Sequence, residues 1–245
     1  MDRIDHLKIV YNSYLSSEKD IKAKIFSEEN GRFHFIPAFE GYATIYAIYS
    51  IYLLKDFEMA KCYFYRASRV AEYMSLNYDW RIIESGIDRL SYALLSDDTE
   101  LIKKYSVLSN KQNNQLSIGF QIANAVQNII LDNKQKLDEN IKNLERFVKL
   151  TQFKSWEPIV DIFKGFLNSK VNLIELGLQT LLNTDKKRNK NVLINKFFSP
   201  DTSGLCKLAW LKGYQIDLKS SLVPIELMPI KPLAIYEDYD FFKEL

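Results

Sequence analysis

The chain has 245 residues, of which 47% are hydrophobic, 13% aromatic and 26% charged, and its formal net charge is +2. That many aromatics with so small a charge imbalance exclude a disordered chain, and the near-neutral balance supplies none of the basic excess on which nucleic-acid binders depend. Eight glycines and six prolines are too few for the many turns of a sandwich or barrel, so long helices are expected.

In chain order, Met1 to His6 is acidic early with no apolar run behind it, which is not a secretory signal and predicts a cytoplasmic protein. A helix is expected over 2–26. The uncharged run between Glu40 and Lys55, GYATIYAIYSIYLL, is shorter than the about 20 apolar residues of a bilayer span and rich in tyrosine. It reads as the most buried helix and not as a membrane span. Phe57, Ala60, Phe64, Ala67, Ala71 and Met74 then advance in steps of three and four, which stacks them on one helical face. Helices over 80–95 and 100–109 follow, with Asp97 or Asp98 as N-cap before Leu101 and with early acidity from Glu100.

The same spacing recurs at Leu116, Phe120, Ala123, Val126 and Ile130, and again at Leu137, Ile141, Leu144 and Val148. The polar break from Leu131 to Lys134 between them has the length for an antiparallel helix pair. Two more helices are predicted over 156–168 and 171–182. Paired helices with short polar turns point to an all-α fold of antiparallel helical hairpins. Both a tetratricopeptide-like stack and an irregular helical domain fit, because no regular 34-residue repeat is present.

Towards the C-terminus, Ser199-Pro200-Asp201 signals a helix start with a capping hydroxyl, and Gly213 marks the end of the helix that follows. Tyr214 to Leu218 alternates like a short strand. Pro224, Pro229 and Pro232 forbid a continuous helix, yet Leu222, Val223, Ile225, Leu227, Met228, Ile230 and Leu233 lie among them. A segment this apolar and stiff predicts an extended, proline-interrupted strap, residues 214–245, packed across a single helical domain spanning 1–245.

Groups that carry chemistry are sparse. His6 and His34 lie far apart and outside any metal-ligand spacing. No glycine-rich phosphate loop and no GxSxG elbow occurs. The acidic pairs Asp97–Asp98, Glu28–Glu29 and Glu237–Asp238 read as residues of polar turns, where nothing shifts their protonation. Cys62 and Cys206, inside apolar helical patterns, read as buried free thiols of a reducing compartment. The basic stretch Lys186, Lys187, Arg188, Lys190, with Lys196 beyond it, lacks interleaved aromatics and reads as a solvated face. No catalytic residue, cofactor, metal or nucleic-acid partner is therefore expected, and the chain is read as a non-enzyme.

From Gly177 onward the chain resembles the immunity protein 49 family, the antidotes found beside bacterial polymorphic toxins. The residues that carry the resemblance are IELGLQTLL at 174–182, KKRNK at 186–190 and LCKLAWLKGYQIDL at 205–218. SSLVPIELMPIKPL at 220–233 and the YEDYDFF ending at 236–242 complete it, and AVQNIILDNKQKL at 125–137 matches less specifically. The resemblance implies a small cytoplasmic protein that blocks a cognate protein toxin sterically, with no catalytic residues to carry over. The alternative is a tetratricopeptide-like scaffold or regulatory module. Acids interleaved with aromatics in the tail make Glu237, Asp238 and Asp240 the candidate toxin contacts, set against a tail whose aromatics dock on the core while its acids stay wet. Oligomeric state and the toxin's chemistry do not follow from the sequence.

Overall fold

A computed structural model describes residues 2–111 and 113–244; Met1 and Leu245, the two ends of the expected domain, lie outside that range. Among the described residues the fold is all-α, with no strand. Its helices are α1 (Arg3–Ser27), α2 (Gly31–Phe35), α3 (Ala38–Tyr49), α4 (Phe57–Tyr78), α5 (Asp88–Ser96), α6 (Thr99–Val107), α7 (Ile118–Ile130), α8 (Lys134–Phe147), α9 (Glu157–Leu167), α10 (Val171–Asn183), α11 (Asp185–Arg188) and α12 (Pro200–Leu211). Consecutive helices pack antiparallel: α3 on α4, α4 on α5, then α7 on α8, α8 on α9 and α9 on α10. α12 touches both α5 and α10, and so joins the first series to the second.

The expected apolar face of α4 is real: Ala60, Phe64, Ala67, Ala71 and Met74 have no solvent exposure. Asp56 caps the helix, its carboxylate accepting from the Met59 amide at 2.9 Å. Burying a side chain such as Phe64 contributes about 1.5–3 kcal/mol, which outweighs the modest helix propensity of an aromatic residue. α7 and α8 carry most of their predicted stripes inward, with Ala123, Val126, Leu137, Ile141 and Leu144 buried, but Leu116, expected to begin the first stripe, lies before α7 and is 84% exposed. The run after Glu40 forms α3 and ends in a wider turn, Ser50–Leu54.

Three expectations are corrected. Residues 80–87 are not helical; Gly86 sits at φ +118°, outside the helical region, and the buried side chains of Ile82, Ile83 and Ile87 anchor a loop. α3 is not the most buried helix. That helix is α12, in which every residue from Pro200 to Ala209 is buried. Gly204 lies so close to α5 that an added Cβ would fall 2.0 Å from Ser91 Oγ, so only glycine permits this approach. Tyr214–Leu218 is extended and buries Ile216 and Leu218 on alternate positions, but it has no ladder partner. The Ile216 carbonyl instead accepts from side chains of α12, with Trp210 Nε1 donating to it at 2.9 Å.

α12 ends as the sequence predicts. Gly213 takes φ +85°, its amide donates to Trp210 O at 3.0 Å, and the Tyr214 amide donates to Ala209 O at 2.8 Å. Its start differs, because the Ser199 hydroxyl donates to Asp185 Oδ1 at 2.5 Å and makes no cap bond to a backbone amide. From Tyr214 the chain runs over the body with only short 3₁₀ turns at Ile225–Leu227 and Asp240–Glu244. Val223, Leu227 and Met228 are buried, while Ile225 and Ile230 face outward.

Candidate functional site

The strap is held by charge. Asp97 ends α5 in the left-handed region at φ 63°, a conformation that Asp tolerates better than most residues, and is 1% exposed. Two buried lysines meet its carboxylate: Lys207 of α12 at 2.5 Å from Oδ1 and Lys61 of α4 at 2.7 Å from Oδ2. Both also grip the strap's backbone. Lys207 Nζ donates to the carbonyls of Leu227 at 2.7 Å, Met228 at 3.2 Å and Pro229 at 3.0 Å. Lys61 Nζ donates to Lys231 O at 2.8 Å, and the Lys231 amide donates back to Asp97 Oδ2 at 3.2 Å. Two ammonium groups thus face one carboxylate, and carbonyl dipoles supply the remaining compensation. The compensation is partial: burial lowers the Lys207 amine to about 8 although Asp97 pulls the other way.

Beyond the latch the tail docks on α1, α3 and α4. The Tyr236 hydroxyl donates to Ser96 O at 2.7 Å and accepts from the Leu233 amide at 3.0 Å. Tyr239 and Phe241 are buried against Phe39, with ring centroids 5.0 and 4.8 Å away. The three candidate contact acids fall on one short segment, and each has a basic neighbour. Glu237 pairs with Arg66 at 3.2 Å, Asp238 with Arg69 at 3.1 Å and Asp240 with Lys22. Glu237 and Asp240 remain 76% and 64% exposed, whereas Asp238 is 24% exposed. The Lys22 hydrogen bond holds the Asp240 carboxyl below its ordinary range.

A separate cleft of about 340 Å³ opens between α1, α3, α5 and the loop before α12. Glu40 and Arg89 meet in it at 2.9 Å, with Asp88, Thr44 and Tyr92 on the same wall. Burial raises Glu40 in spite of Arg89, and burial with the neighbouring Asp88 raises Asp201 well above the ordinary range, against Arg188. Raised carboxyls suit proton transfer. Here the cleft residues brace α3 against α5, and neither histidine nor cysteine lines the cleft. No group of three or more His, Cys, Asp or Glu side chains among the described residues is arranged to hold a metal ion.

Sequence reasoning missed Asp97, Lys61 and Lys207. Asp98 alone is the N-cap of α6, accepting from the Leu101 amide at 2.6 Å, so the Asp97–Asp98 pair is not two turn residues. A signal existed for the lysines: Lys61 stands four after Phe57 and three before Phe64 on the apolar face, and Lys207 interrupts the apolar run Leu205–Leu211. Arg188 also departs from its solvated reading. Its side chain is 2% exposed, lies over the Trp156 ring at 4.9 Å and pairs with Asp201 at 3.2 Å. Lys186, Lys187 and Lys190 do face solvent. Both cysteines are free thiols, but Cys62 is only half-buried.

No helix among the described residues is long and apolar enough to cross a membrane. No protein-family model, no curated protein and no solved structure matches the chain.

Proposed function

We propose that this chain is an immunity protein that binds a cognate bacterial toxin in the cytoplasm and neutralises it by covering its active site or substrate path. The observation that carries this reading is the tail. Exposed Glu237 and Asp240 stand on a backbone fixed by buried Tyr239 and Phe241, so a charged face is presented in one geometry. Such pre-organisation lowers the ordering cost of association, and fixed surface acids speed and orient the approach of a basic partner. The resemblance over the C-terminal half points the same way.

The test is co-expression with the product of the neighbouring gene. Protection of the host and co-purification of one partner are the expected results; absence of both overturns the reading. Replacing Glu237, Asp238 and Asp240 together by Ala is expected to weaken the complex, and an unchanged complex removes these acids from the interface. A tetratricopeptide-like scaffold is the second reading, favoured by the unbroken series of helix pairs from α7 to α10. It predicts capture of several unrelated proteins with no toxin among them.

A further inference from the structure

We infer that the groove between the start of α4 and residues 232–237 of the strap is a docking surface for an apolar segment of a partner protein flanked by lysine or arginine. The inference rests on the protein-binding reading above and adds the partner's chemistry. The groove encloses about 830 Å³. Cys62, Tyr63 and Leu233 form its half-buried floor, and Met59 and Ile235, 40% and 74% exposed, stand at its edges.

An isoleucine that exposed is held out by a rigid frame. On one side Lys231 is fixed through Asp97 and Lys61, and the Leu233 amide donates to Tyr236. On the other, Tyr236 is tied to Ser96, and Arg66 Nε donates to Glu237 O at 2.8 Å. Ile235 therefore cannot fold back to cover itself, and a partner that covers it has no loop to order.

Charge selects the occupant. Asp56, Glu58 and Glu237 line the groove, and the one base in its lining, Arg66, is already paired with Glu237. Among the described residues Glu58 has no basic partner, and the Asp56 carboxylate is held only by its cap bond to the Met59 amide. The rim therefore keeps a net negative charge, which favours a cationic amphipathic segment and disfavours an acidic one. The neighbouring hollow under the tail is less biased, since Arg66, Arg69 and Lys243 offset most of the charge of Glu18, Glu237, Asp238 and Asp240.

The test does not require the toxin. A fluorescent helical peptide of leucine and lysine is titrated into the full chain, beside a leucine–glutamate peptide of the same pattern. The lysine peptide is expected to bind, to shield Cys62 from alkylation, and to bind about tenfold more weakly to Ile235→Asp and to Glu58→Lys. Both positions lie at the surface, so the variants fold. No binding at about 100 µM, binding that ignores Ile235→Asp and leaves Cys62 reactive, or equal binding of the glutamate peptide overturns the inference. So does a wild-type dimer that Ile235→Asp makes monomeric, which gives the groove to a second copy of this chain. Peptide binding without toxin protection sinks the immunity reading alone; toxin protection without peptide binding sinks the groove alone.

Discussion

Between α7 and α10 each helix packs on its neighbour in the chain, and the polar network buried there consists of neutral amides. Asn128 donates to Asn140 Oδ1 at 2.8 Å, and Asn140 donates to Gln121 Oε1 at 2.9 Å. Under the strap the partners lie far apart in sequence, as with Lys61 and Lys231 at a separation of 170 residues, and the buried groups are ions. An amide network tolerates the loss of a member, because each group that remains is uncharged. A carboxylate between two ammonium groups does not, since removing it strands two charges in a low dielectric. One half of the molecule is built to degrade gradually and the other to hold or release as a unit.

The sharpest way to break that contrast is Asp97→Asn, which keeps the shape and the tolerance of positive φ. It is expected to lower stability by about 3–5 kcal/mol, since Lys61 and Lys207 lose their only shared counter-charge. Urea unfolding followed by tryptophan fluorescence reads the loss. Asn140→Ala, the matching cut in the amide network, is expected to destabilise by about 1–3 kcal/mol. If the two losses are equal, the distinction between ionic latch and amide network fails.

A weaker effect follows from Lys207. Its folded amine sits at about 8, below the ordinary 10.5, so the folded chain holds this proton less tightly than the unfolded chain does. Below pH 8 both states carry the proton and the fold bears the full penalty of the buried charge. As pH rises from 8 the folded amine loses its proton first, and stability rises. Burial raises Tyr92 and Tyr105, so the fold loses stability once the unfolded tyrosines ionise above about pH 10. Burial also raises the Cys62 and Cys206 thiols, whose ionisation in the unfolded chain near pH 9 removes stability in the same window. The Lys207 contribution is therefore expected as the difference between wild type and Lys207→Met from pH 8 to about 9.5. An equal slope in that variant would assign it to other groups.

The smallest effect is chemical. Burial pushes the Cys206 thiol up to about 12, and Cys62 is raised less and lies half-exposed in the groove. A thiol reagent is expected to label Cys62 in the native protein and Cys206 only after unfolding. Native labelling of Cys206 would show that α12 opens far more readily than its burial implies.

Much of this architecture was legible in local pattern. The stripes of α4, α7 and α8, the Asp98 cap and the Gly213 stop all depend on residues within a few positions of one another. Glycine at 86 and the loop around it were not legible as a break, because an isolated glycine inside an apolar pattern also occurs within helices. The latch was only partly legible, because lysines inside apolar patterns mark Lys61 and Lys207 as unusual but do not pair them. Nothing near Asp97 in the sequence announces Lys61 or Lys207, and only the fold assembles the three. The candidate acids were found by composition, but their pairing with Arg66, Arg69 and Lys22 again depends on distant helices.

The position of α12 also sets an order in time. α3, α4 and α5 leave the ribosome early, yet the face of α5 that α12 covers stays open until residues 200–211 have been made. Lys61 and Asp97 can pair with each other from the start, but Lys207 and the strap carbonyls join them only later. A chain truncated before residue 200 is therefore expected to expose the face of α5 that α12 covers and to aggregate more readily than the full chain.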